Sequence, residues 1–239
     1  MSIKITALSL SALCVCLLAC KGSGQQGEGA VKTPEQQTAS TRLDSIQKVV
    51  DQTTQTYKAM DNPTLIQKLV EQSKKQKEPF NSLAFRELKG RKDVNTDTLA
   101  SLVAQLRNGD ALLPLLLIRR LNDTAYLRVS VELRAGVLTD ALDRSKTFNT
   151  WGLPHLYLED AAKALIECGR STLPALGRML TDTRPAPVFG SQQYMEYKKY
   201  QYRLCDYALF FIEQIQGHTD FVMPVSPADR DSLIKNLKV

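Results

Sequence analysis

Few side chains in this chain have the types and spacing that chemistry requires. Its two histidines, His155 and His218, fall in neither H-x-x-x-H nor H-E-x-x-H. No C-x-x-C occurs, so no zinc site built from this chain alone is expected. His155 and Glu159 stand four residues apart and read as a capping or surface contact at a helix start. No nucleophile elbow of the G-x-S-x-G type, Walker phosphate loop or calcium loop is present. Carboxylate neighbours such as Asp140 and Asp143, or Glu159 and Asp160, are what amphipathic surfaces and first helical turns normally carry. No catalytic residue, metal site or cofactor is expected.

The side chains best suited to binding are aromatic. Tyr194, Tyr197, Tyr200, Tyr202 and Tyr207 are five of the eight tyrosines, with Met195, Lys198, Lys199 and Arg203 among them. Tyrosine supplies contact area at low entropic cost and a hydroxyl for hydrogen bonding, which suits a partner surface. The alternative is that these rings pack the preceding Pro-rich loop onto the helices. Trp151, the single tryptophan, is a loop plug or a partner anchor. Arg119 and Arg120 end an apolar helix, where cations favour the negative end of the dipole; contact with an acidic partner is the other reading. Asn122-Asp123-Thr124 fits a glycan acceptor pattern but more simply caps a helix.

Charge and cysteines narrow the classes. The formal charge is +6, and the excess is dispersed. Lys74, Lys75 and Lys77 are the densest cluster and read as a solvated helix end. No nucleic-acid recognition motif accompanies them. Ile5–Ala19 is an apolar run of 15 residues, short of the roughly 20 that a spanning helix needs, and reads as a secretory signal. Cys14 and Cys16 leave with it.

The end of that run, Leu17-Leu18-Ala19-Cys20, resembles the lipobox of bacterial lipoproteins. The resemblance implies cleavage after Ala19, diacylglyceryl attachment to the Cys20 thiol, and acyl chains holding the protein on a lipid bilayer. Two or three chains anchor firmly at ~0.8 kcal/mol per buried CH₂. It places the protein in the bacterial cell envelope. Lys21, a non-Asp residue after the cysteine, favours the outer membrane in the enterobacterial sorting pattern. Lys21–Ser40 is rich in Gly, Gln, Ser and Thr and reads as a flexible tether.

The remainder reads as all-α. Leu43, Ile46, Val50, Thr53, Tyr57 and Met60 alternate at three and four residues, giving a helix over about 41–60 with a core-facing stripe. Asp61-Asn62-Pro63 restarts a helix carrying Leu65, Ile66, Leu69 and Val70, which Pro79 ends. Phe80–Leu88 gives a short helix. Asn95 or Thr96 caps the next, which Gly109 ends, and Ala111–Leu121 follows. Asp123 or Thr124 caps a single helix to about Arg144. Ser145–Pro154 and Arg184–Gly190 are loops. Helix then resumes through the tyrosines to Ile215, and Asp229–Leu237 closes the chain.

The stretch Glu159–Leu180 organises this pattern. Ala162, Leu165 and Ile166 share one helical face. Gly169 stops the helix, and Leu173, Leu176, Met179 and Leu180 form the next stripe around Pro174. G-x-x-x-L-P-x-L occurs at Gly109–Leu116 and again at Gly169–Leu176, an offset of 60. D-x-A-x-x-[LF]-I-E occurs at 160–167 and 206–213, an offset of 46. At Ala161-Ala162-Lys163-Ala164-Leu165, Gly169, Leu173-Pro174-Ala175-Leu176 and Met179-Leu180 the chain resembles the short bacterial form of HEAT repeats. The resemblance implies stacked helical hairpins of the α-α superhelix type and a protein-binding role without catalytic residues. In the repeat register Cys168 and Cys205 are about nine residues, or ~13 Å, out of step, which disfavours a disulfide needing Cα atoms within about 7 Å.

The expected organisation is a signal peptide at 1–19, a lipidated Cys20 and linker to 40, and a helical domain over 41–239. That domain comprises N-terminal helices at 41–95 and HEAT-like hairpins at 96–239. The expected function is an envelope lipoprotein that binds a protein partner, as scaffold or adaptor, through Trp151, Tyr194, Tyr197, Tyr200, Tyr202, Arg119 and Arg120. The competing expectation is a glycan-binding or hydrolytic pocket of Tyr, Trp and His.

Overall fold

The computed structural model describes residues 34–237, with side chains from Arg42 onward. The leader, Cys20 and most of the linker lie outside the described residues. The chain forms two compact units, 1–59 and 60–239. Among the described residues it is all-α, with twelve α-helices and one two-stranded sheet.

The first unit contributes α1 (Pro34–Ala59). It begins ahead of the expected Thr41, because Pro is tolerated at a first helical position and the Glu, Gln and Ala that follow are good helix formers. The core-facing reading of its stripe is corrected: Leu43, Ile46, Val49 and Val50 are exposed. The helix is supported locally instead. Thr53, Thr54 and Thr56 hydroxyls donate to the carbonyls of Val49, Val50 and Gln52, and Gln47 donates to Asp51.

The second unit runs α2 (Asn62–Lys74), α3 (Leu83–Lys89), α4 (Thr96–Leu106), α5 (Leu112–Leu121), α6 (Asp123–Arg128), α7 (Val131–Asp143), α8 (Asp160–Glu167), α9 (Leu173–Met179), α10 (Ser191–Tyr200), α11 (Leu204–Ile215) and α12 (Pro227–Asn236). Polar caps set the starts. Asp61, Asn95, Asn122, Ser130 and Ser226 each accept a backbone N–H of the following turn. Ser130 is why the expected single helix over 123–144 is two: it caps a new start inside the apolar run.

The two copies of G-x-x-x-L-P-x-L adopt the same local path. A 3₁₀ turn, Gly109–Ala111 or Gly169–Thr172, leads into α5 or α9. Helix α7 lies between the copies. One side packs on α5 and the first turn; the other packs on α8, α9 and the second turn. Helix α11 covers α8 and α9. Six successive residues of α5, Leu113–Ile118, are buried, as are Leu165, Leu176, Phe211 and Ile212. Helices α2 and α3 close over α5 at the other end.

After α7 the chain turns through a small hairpin in which Gly152 pairs with Leu158 and Leu153 with Tyr157. Its φ of 84° puts Gly152 in the left-handed region, and a Cβ there would meet the Tyr157 carbonyl at 2.4 Å. The loop before α10 is pinned by a bridge between Pro185 and Arg203.

Candidate functional site: the outward face of α10

The tyrosine-rich segment is two helices rather than one. Gln201, with φ 52°, ends α10 in the left-handed conformation, and α11 restarts after Arg203. The Asp206 side chain accepts from the Arg203 backbone N–H at 2.8 Å and fixes that restart.

No residue of α10 is buried. Gln193, Glu196, Tyr197 and Tyr200 are half-buried and recur at 3- and 4-residue spacing, which makes them the inward stripe. Tyr194 and Met195, with Lys198 and Lys199, form the outward face. Tyr194 is 41% and Met195 66% exposed. Lys198 Nζ sits 4.9 Å from the centre of the Tyr194 ring. Just ahead of the helix, Phe189 is 55% exposed on a fixed backbone. Asn149 donates to its carbonyl at 2.6 Å and accepts from its N–H at 3.0 Å.

Beneath α10 lies a hydrogen-bonded aromatic cluster. His155 stacks on Tyr200 with ring centres 3.9 Å apart. Its Nε2 meets Glu196 Oε2 at 3.0 Å, and its Nδ1 meets the Tyr202 hydroxyl at 2.8 Å. The carboxylate requires a donor, so Nε2 carries the proton and Tyr202 donates to Nδ1. Burial, the largest influence, lowers the His155 pKa; Glu196 opposes it, and Lys199 adds to the lowering. Both ring nitrogens are therefore occupied in a neutral imidazole. The cluster clamps α10 to the loop after the small hairpin and leaves no lone pair facing solvent.

The other expected site residues fall elsewhere. Trp151 is buried, with its indole N–H donating to Ser145 Oγ at 2.9 Å and its ring near Phe211. It is a core plug and offers nothing to a partner, which corrects its place in a surface set. Tyr202 is likewise buried, between Tyr200 and Tyr207 with the Arg230 guanidinium over it. Tyr197 and Tyr200 lie on the inward stripe. Arg119 forms a two-pronged ion pair with Glu167 and lies near the Tyr126 ring, and Arg120 pairs with Asp160. These arginines fasten the end of α5 to α8 and do not join the α10 face. His155 faces Glu196 rather than Glu159, a partner 41 residues away that local spacing does not reveal.

The thiols offer little chemistry. Cys168 and Cys205 are free and buried. Burial pushes them up to about 11 and about 12, so both stay protonated at neutral pH. Among the described residues no group of three His, Cys, Asp or Glu is placed to hold a metal ion, and no helix is long and apolar enough to cross a membrane.

Comparisons with protein-family models, with curated proteins and with solved structures find no match. The functional reading rests on the chemistry of this chain's own surface.

Proposed function

We propose that the protein is a lipid-anchored bacterial envelope lipoprotein whose helical domain binds a protein partner without catalysing a reaction. The anchor reading rests on the Leu17-Leu18-Ala19-Cys20 motif after the apolar leader. The binding reading rests on one observation above all: α10 buries none of its residues, yet displays Tyr194 and Met195 outward, with Phe189 on a pinned backbone beside them. Exposed aromatic and methionine side chains are the types enriched at interface centres. Lys198 and Lys199 on the same face suit a partner with carboxylates around an apolar depression.

The competing glycan-binding or hydrolytic reading draws less support. Its aromatic and histidine members are either buried, as Trp151 and Tyr202 are, or hydrogen-bonded on both sides, as His155 is.

Two measurements test the proposal. Fractionation of cells carrying Cys20→Ser is expected to move the protein from the membrane to the soluble exported fraction; unchanged membrane association contradicts the anchor. A photo-reactive side chain at position 195 is expected to give one discrete protein adduct in native envelopes that Tyr194→Ala abolishes. An unchanged adduct pattern contradicts the docking face.

A further inference from the structure

A cavity of about 240 Å³ opens between the C-terminal ends of α2 and α7 and the loop that follows α7. One water occupies roughly 30 Å³ of the liquid, so the space suits a single small ring rather than an oligomer. Lys75, Lys77 and Lys146 line it. All three are exposed, and none has an ion-pair partner among the described residues. Arg144 also lines it but is taken by Asp110 and Asp140. The wall carries Glu78, only 8% exposed. Its Oε1 accepts from Thr147 Oγ1 at 2.9 Å and its Oε2 from Asn81 Nδ2 at 3.0 Å. Each carboxylate oxygen keeps a further lone pair.

Gln76 is the telling residue. It ends α2 in the left-handed conformation, with φ 55°. Its own N–H reaches the Ser73 carbonyl at 2.8 Å, and the next N–H reaches Gln72 at 3.0 Å. That is the helix-ending geometry in which glycine meets no Cβ penalty. Glutamine stands there instead. Its side chain lines the cavity with Oε1 buried and without a hydrogen-bond partner among the described residues. A residue type that the backbone disfavours thus holds an unused acceptor against a lysine-lined space.

We propose that this cavity binds one anionic sugar unit, a uronic acid or a phosphorylated hexose. Ring hydroxyls donate to Gln76 Oε1 and to the Glu78 carboxylate, and the acidic group of the sugar is met by the ammonium groups of Lys75, Lys77 and Lys146. Charge alone does not describe the site. A simple inorganic anion such as sulfate has no proton to donate to Gln76 or Glu78, and is repelled by the latter. A neutral sugar leaves the lysines unanswered. The site is separate from the α10 face and does not depend on a protein partner binding there.

The test is titration of the mature chain with galacturonate, glucuronate and a glucose phosphate. Binding is followed by calorimetry and by the emission of Trp151, the single tryptophan, whose N–H is bonded to cavity-lining Ser145. Saturable binding of at least one anionic sugar is expected, with glucose and sulfate weaker by about tenfold or more. Gln76→Gly is the decisive variant. Glycine relieves the left-handed strain, so the variant is expected to melt no lower than the parent while its affinity falls about tenfold. Lys77→Ala combined with Lys146→Ala is expected to lower affinity for the anionic sugars and leave glucose binding unchanged. Polygalacturonate separates the sources. Binding as tight as the monomer's assigns a chain terminus, and binding of the monomer alone assigns a free sugar. The proposal is overturned if none of the three sugars binds, if sulfate binds as tightly, or if Gln76→Gly binds as the parent does.

Discussion

Helices α10 and α11 are separated by three residues, Gln201–Arg203, and share one tyrosine-rich run, yet they are opposites. In α11 nine consecutive residues, Leu204–Ile212, are buried, so every side of the helix meets protein. In α10 none is buried, although Tyr194, Met195 and Tyr197 are no more polar than much of α11. A helix apolar on every side belongs to a core. A helix that exposes tyrosine and methionine while only clamped underneath is placed for contact with something else. Side-chain type alone does not separate the two; what each helix packs against does.

The largest effect is expected in α11. Asp206 is buried and lies 3.0 Å from the Nε of Arg230, itself 0% exposed, as well as pairing with Arg203. Arg230 also donates to the carbonyls of Pro224, Val225 and Tyr200. Asp206→Ala strands a buried guanidinium and should cost about 3–5 kcal/mol in urea unfolding. Tyr207→Phe should cost less, about 1–3 kcal/mol, because it removes the 2.6 Å hydrogen bond to the buried Gly152 carbonyl without emptying the core. A loss as small for Asp206→Ala as for an α10 surface substitution would break the contrast.

The clamp between the two helices titrates. The His155 pKa is depressed by burial, so the folded state holds fewer protons on this ring than the unfolded chain does. The stability it contributes is complete above the ordinary imidazole value of about 6.5 and is lost as pH falls from there through the depressed folded value. The stability difference between the parent and His155→Gln, measured across that window, should narrow as pH falls. A difference that widens would mean that the Glu196 attraction outweighs burial. The smallest effect is expected on the outward face. Tyr194→Ala and Met195→Ala should each change unfolding stability by no more than about 0.5 kcal/mol while removing the photo-adduct in envelopes.

The sequence pattern conveys the helices well, and their burial much less well. The all-α class, the Asp61 and Asn95 caps and the left-handed Gly169 follow from local chemistry. The repeated G-x-x-x-L-P-x-L motif marks equivalent turns, but its two glycines serve different needs. Gly169 has φ 57° and open space around a would-be Cβ. At Gly109 a Cβ would meet the Ala141 backbone at 2.8 Å, and its N–H donates to Asp140 Oδ2 at 2.7 Å. The first requirement is local and legible; the second arises only once α7 packs across the turn. The break at Ser130 was masked by apolar residues that keep helical spacing through it.

The binding residues were partly legible. Tyr194 and Met195 occupy the expected surface. Trp151 and Tyr202 are buried because the small hairpin and α12 close over them, contacts made by residues far along the chain. Phe189 was hidden in a Pro-rich loop, and only its pairing with Asn149 shows that its ring is held outward.

The contrast between the two helices is tested most directly by hydrogen exchange of their backbone amides, compared between the purified domain and isolated envelopes. The account predicts that α10 amides are slowed in the envelopes while α11 amides exchange equally slowly in both. Equal exchange of α10 in the two preparations would contradict it, because a helix displayed for docking must be covered where its partner is present.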